Sequence, residues 1–162
     1  MSNEGVYIRK LQDLHRDSIP GRWDQRTFGK APHKPLLLLC VTDLYRENSG
    51  RENRIEPTLY VEESFNEYWR LLYASDNTST FALPFFHLQH DGFWFLVGAN
   101  GSSVEDPEIA KTASSLRKAV AFAKLDDRLH ELLQRPEWVH HLRSVIISSN
   151  FEPEAHSQFI NW

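Results

Sequence analysis

KAPHKPLLLLC, residues 30–40, sets a histidine and a lysine between two prolines and then runs into the most apolar stretch of the chain. Pro35 suits the first turn of a helix, where its missing N–H costs nothing. Leu36, Leu37, Leu38, Leu39, Cys40, Val41, Leu44 and Tyr45 make that helix apolar almost all round, which predicts a central core helix. Asn48-Ser49-Gly50 closes it. The fold is therefore expected to assemble around this helix, with His33 and Lys34 held at its entrance. Pro32 and Pro35 restrict the backbone on both sides of that pair, which lowers the entropy lost when the two side chains must be held ready for a ligand.

Upstream, Tyr7, Leu11 and Leu14 recur at three- and four-residue steps and predict a first helix, capped at Asn3 and ended by Ile19-Pro20-Gly21, then a loop over 20–34. Downstream, Ile55 marks a short strand, and Phe65, Tyr68, Trp69 and Leu72 mark a third helix. SDNTST, residues 75–80, is loop by composition. LPFFHLQHDGFWFLV, residues 83–97, predicts a hairpin with strands over 84–89 and 93–97, because Asp-Gly between two apolar runs favours a tight turn. From Lys111 the spacing is helical again through Leu116, Val120, Phe122, Leu125, Leu129 and Leu133. Pro136 opens a last helix carrying Trp138, Val139, Leu142, Val145 and Ile146. The expected architecture is a single α+β domain over 1–162, mostly helical, with a small antiparallel β-hairpin packed on the helices.

A net charge of −4 argues against a surface that binds polyanions everywhere, but the charges are segregated. Arg9, Lys10, Arg16, Arg22, Arg26, Lys30 and Lys34 crowd one segment against only Asp13, Asp17 and Asp24, while acids collect over 47–67 and 105–108. One basic and one acidic face follow from this pattern. No apolar run approaches the roughly 20 residues of a membrane span, and MSNEGVYIRK lacks the order of a signal peptide, so a cytoplasmic location is expected. The single Cys40 lies in an apolar run and reads as a core residue. His87 and His90 on a strand would face opposite sides, and His140 and His141 on a helix diverge by about 100°. Neither a metal nor another cofactor is expected. There is no nucleophile elbow, P-loop or dinucleotide fingerprint. His33 with Asp91 or Asp76 makes an acid/base pair only if a particular fold is assumed, so no enzyme activity is expected.

APHKPLLLL over 31–39, followed by LPFFHLQHDGFW over 83–94, resembles the N-terminal sulfur-binding domain of type IV McrA-like HNH restriction endonucleases. The resemblance extends through LRKA at 116–119 and the final helices. It implies non-catalytic recognition of double-stranded DNA carrying phosphorothioate linkages, in which sulfur replaces a non-bridging phosphate oxygen. It further implies that His33 and Lys34 meet the modified backbone and that Leu83 and Pro84 form the apolar wall of the sulfur pocket. Arg117 would clamp a phosphate and line the pocket with its stem, and Lys30 and Lys118 would hold neighbouring phosphates. Leu83 stands where the family commonly has Tyr, so the wall loses a hydroxyl contact. Full-length relatives carry a C-terminal HNH nuclease domain, which is not expected within these residues. Two other readings stay open at this stage: a protein-interaction module that docks a partner through the aromatic hairpin, and a DNA-binding domain indifferent to sulfur.

Overall fold

The computed structural model of the chain describes residues 3–75 and 77–159. Helix α2 (His33–Glu47) is the axis, as its leucine run predicts, with Leu36, Leu37 and Leu39 wholly buried. Cys40 is in the core, its thiol turned to the Leu36 carbonyl. Helix α7 (Pro136–Asn150) lies against α2 and against α1 (Asn3–Gln12) through Val139, Leu142, Ile146 and Ile147. Helix α3 (Leu59–Tyr73) covers another side with Val61, Phe65, Trp69 and Leu72. Its first turn is capped by the Thr58 hydroxyl, which accepts from the Val61 amide at 3.2 Å. Arg143 of α7 is buried and donates to Thr42 Oγ1 at 3.0 Å, Asp43 Oδ1 at 3.1 Å, the Tyr68 hydroxyl at 3.0 Å and the Phe159 carbonyl at 2.9 Å. One guanidinium thus fastens α2, α3 and the C-terminal segment around α8 (Pro153–His156).

Residues 83–97 depart from the expected hairpin. Ala82–His87 form helix α4, a 3-10 turn continues over Leu88–Asp91, and Gly92 at φ 82° ends it in the left-handed region. Asp-Gly therefore terminates a helix here instead of turning a hairpin. Aromatic composition favours a strand in isolation, but Pro84 falls in the first turn of α4, and Phe85, Phe86 and Leu88 are buried on a helical spacing. The antiparallel sheet is built from β1 (Trp94–Gly98) and a distant partner, β2 (Val120–Leu125), with Trp94 opposite Leu125 and Ile55 bridged to Ala123. The short strand expected near Ile55 is this bridge. Helix α5 (Ala113–Ala119) stops one residue before β2, so Val120 and Phe122 belong to the sheet and not to a helix. A bulge falls between Val97 and Gly98, where a Cβ on Gly98 would lie 1.9 Å from the Ser102 carbonyl oxygen. The class, α+β with a two-stranded antiparallel sheet on helices, is as the sequence predicts. Helix α6 (Asp127–Leu132) precedes α7, and Pro136 separates them as expected.

Helix α1 ends at Gln12, well before Ile19, and its expected cap at Asn3 lies outside the described side chains. Residues 13–32 run in extended and turn conformations across the entrance of α2, with a 3-10 turn at Gln25–Thr27 capped by Asp24. Phe28 then takes φ 54°, a rare conformation for an aromatic residue, with half of its surface exposed. Among the described residues no helix is long and apolar enough to cross a membrane.

Candidate nucleic-acid interface

The chain from α1 to α2 and the helix α4 face each other across a cavity of about 490 Å3. His33 and Lys34 line it from the start of α2, Leu83 and Pro84 from α4, and Arg16, Asp17, Trp23 and Ala31 from the connecting loop. Four of the residues singled out from the sequence, distant along the chain, therefore share one wall system.

His33 is enclosed by aromatic rings, with Trp23 edge-on at 5.4 Å and Trp69 at 5.0 Å between centroids. Its Nε2 shares a 2.9 Å hydrogen bond with Ser79 Oγ. Burial, helped by the nearby Arg16 guanidinium, lowers its pKa to about 4. The ring is neutral at pH 7. An unfolded histidine protonates near 6.5 while the folded one does so near 4, so the unfolded state binds more protons across that window. Stability is thus full above pH 6.5 and is expected to fall as pH drops toward 4, by up to about 1.4 kcal/mol per pH unit from this residue. Chemical-denaturation midpoints between pH 4 and 7 test this, with His33→Asn expected to flatten the dependence.

Lys34 does not reach outward as the sequence suggests. Its ammonium lies 2.6 Å from Asp91 Oδ2 and also donates to the His15 carbonyl, and the side chains are 9% and 3% exposed. The other Asp91 oxygen accepts from the His15 amide at 2.8 Å. This buried pair fixes the loop, α2 and the end of the α4 segment together.

Arg16 was not distinguished from its basic neighbours by sequence, yet it organises the loop. Its guanidinium donates to the Ala31 carbonyl at 2.6 Å and to Asn150 Oδ1 at 2.8 Å, with longer contacts to the Thr27 and Lys30 carbonyls at 3.4 Å. All four acceptors are neutral. Burial lowers its pKa to about 10, so it remains a cation at neutral pH and leaves a positive potential in the cavity wall. Asp17 accepts from Trp23 Nε1 at 3.0 Å and from Arg22 at 3.0 Å, and these bonds, Trp23 first, pull its carboxyl below its usual range.

The remaining expected residues are placed differently. Arg117 does not line the cavity: it donates to the Pro57 carbonyl at 2.8 Å and to Glu62 at 2.7 Å, and its guanidinium stands over the Phe81 ring at 5.3 Å. The expectation that its stem walls the pocket is corrected, because these partners hold it against the entrance of α3. Lys30 is exposed next to Ala31, and Lys118 is exposed on α5. His87 and His90 stand on one side of a helical segment with ring centroids 5.6 Å apart, so their expected divergence on a strand does not occur. Burial, then His90, lowers the His87 pKa. Among the described residues no group of three or more His, Cys, Asp or Glu is placed to hold a metal ion. Asp76 lies outside the described residues. Phe85, Phe86 and Trp94 are buried, with Trp94 Nε1 donating to the Phe85 carbonyl at 2.8 Å, so these three rings serve the core.

A helical α+β scaffold that spends its polar groups on shaping one hollow beside a basic loop defines a small binding domain. The chain belongs to the ScoMcrA-like DNA sulfur-binding domain family, whose sequence pattern it matches over residues 12–161. Its fold is similar to that of a solved structure described as the sulfur binding domain of SprMcrA complexed with phosphorothioated DNA. That similarity has a TM-score of 0.64 at 14% identity and covers 98% of this chain and 94% of the other. No curated protein matches the chain.

Proposed function

We propose that this domain binds double-stranded DNA at a phosphorothioate linkage, seats the sulfur between Leu83, Pro84 and Ala31, and leaves the strand uncut. The observation that carries this reading is the state of the donors around the cavity. Lys34 is committed to Asp91, Arg16 to neutral acceptors, and Arg22 with Trp23 to Asp17. A phosphate oxygen entering there exchanges water for few strong donors, whereas a sulfur atom is larger, more polarizable and less strongly hydrated. The Arg16 charge still favours an anion. Burying a few tens of Å2 of sulfur surface is worth roughly 1 kcal/mol at about 25 cal/mol per Å2, and the uncompensated desolvation of an oxygen adds about 1–3 kcal/mol. Together these amount to roughly 30- to 1,000-fold preference for the modified linkage.

Lys30 and Lys118 then contact neighbouring phosphates, His33 supplies a neutral imidazole at the cavity wall, and Arg117 acts through its ion pair with Glu62 of α3. The family membership supports the sulfur reading over a DNA binder indifferent to sulfur. The burial of Phe85, Phe86 and Trp94 favours this reading over a protein-docking hairpin, which would need an exposed aromatic face.

Titration of this chain with matched duplexes, identical but for one phosphorothioate, tests the reading. The modified duplex is expected to bind more tightly, both affinities are expected to fall with salt, and Pro84→Ala is expected to reduce the ratio between them. Equal affinity for the two duplexes would sink it.

A further inference from the structure

A second hollow of about 370 Å3 opens on the far side of Trp23. It shares Arg22 and Trp23 with the first cavity and continues over Trp69, Tyr73, Ser75 and Asn77. The Trp69 and Tyr73 rings lie 5.0 Å apart and tilted by 50°, and Trp23 stands nearly perpendicular to Trp69 at 6.5 Å. Trp23 also meets His33, of the first cavity, at 5.4 Å. The two hollows thus share the Trp23 indole as a common wall.

Their chemistry differs. The first is flanked by several cations and imidazoles, whereas the second, beside the shared Arg22, has three aromatic side chains, the amide of Asn77, the hydroxyl of Ser75 and the carboxylate of Asp24. A flat, neutral, polar-edged ring suits aromatic walls rimmed with small donors and acceptors, and that description fits a nucleobase. A base is covalently tethered to its own linkage, and the hollow beside the first cavity shares the Trp23 wall with it.

We infer that the hollow formed by Trp23, Trp69 and Tyr73 receives an unstacked nucleobase adjacent to the modified linkage, so that the domain favours phosphorothioates flanked by an unpaired base. This inference rests on the proposed sulfur site. A paired base must first leave the stack, and that cost is smallest at a mismatch or an abasic partner. Aromatic stacking then supplies the gain.

The test uses the whole chain and three duplexes carrying 2-aminopurine next to the linkage: phosphorothioate with the base paired, phosphorothioate with the base opposite an abasic site, and the abasic duplex with ordinary phosphate. About tenfold tighter binding of the modified abasic duplex over the modified paired one is expected, with quenching of 2-aminopurine emission on binding. Tyr73→Leu, which keeps apolar bulk and removes the ring, is expected to abolish the gain and the quenching while sparing affinity for the paired duplex. Equal affinity for the paired and abasic modified duplexes, or unquenched emission in the complex, overturns the inference even when the preference for sulfur stands. Loss of the preference for sulfur between the two abasic duplexes instead overturns the reading beneath it.

Discussion

Asp91→Ala is expected to lower folding stability by about 3–5 kcal/mol, because it leaves the nearly buried Lys34 ammonium without its carboxylate partner. The geometry makes the effect large. Lys34 Nζ is 2.6 Å from Asp91 Oδ2, and both side chains are almost wholly enclosed. The same carboxylate also accepts from the His15 amide, so a second, exposed donor loses its partner. Denaturant midpoints measure the loss. The paired change of Asp91→Leu with Lys34→Met is expected to recover most of it, since replacing a buried ion pair by apolar side chains is often neutral, whereas breaking one is not. Recovery of both stability and DNA affinity would assign the pair to the shape of the cavity, whereas recovery of stability alone would assign Lys34 a direct contact with the DNA. A single change at Lys34 cannot make that distinction, because it leaves Asp91 buried and unpaired.

Arg16→Met is expected to cost about 2–5 kcal/mol and to weaken binding of phosphorothioate DNA by at least tenfold. It orphans the Asn150 side-chain oxygen and the Ala31 carbonyl, both buried, and each unsatisfied group costs about 1–3 kcal/mol. The loop it releases supplies Trp23, Arg22 and Ala31 to the cavity. Arg16→Lys is expected to rescue little, because a single ammonium cannot reproduce a planar fork directed at several acceptors. Thermal unfolding together with duplex titration separates the two effects: an Arg16→Met protein that binds modified DNA normally would show that the loop does not shape the site.

The central helix was legible because its signal is redundant: proline at the start, apolar residues on every face and an Asn-Ser-Gly stop. Pairing of His33 and Lys34 with Leu83 and Pro84 in one cavity was legible through the family resemblance. The sheet was not, because LPFFHL has the composition of a strand and VAFAKL sits among helical spacings, and only the packing of Trp94 on Phe85, at 5.2 Å, reveals which segment turns into α4. The roles of Arg16, Asp91 and Arg117 were hidden for a related reason. A charge in a sequence reads as solvated, and its commitment to a buried partner 57 residues away, as between Lys34 and Asp91, leaves no local trace. The segment from 14 to 19 likewise continues a helical spacing, but its backbone is taken by Asp91 and Lys34 instead.

The bond from Arg16 to Asn150 spans 134 residues, and the amide of Glu152 closes a second tie to the Arg26 carbonyl at 2.9 Å. A nascent chain therefore emerges with its basic loop already translated but with nothing to hold it in register. Competence to engage a ligand arrives only when the segment around residue 150 clears the ribosome, so this protein is expected to acquire its grip in a single late step of synthesis rather than gradually.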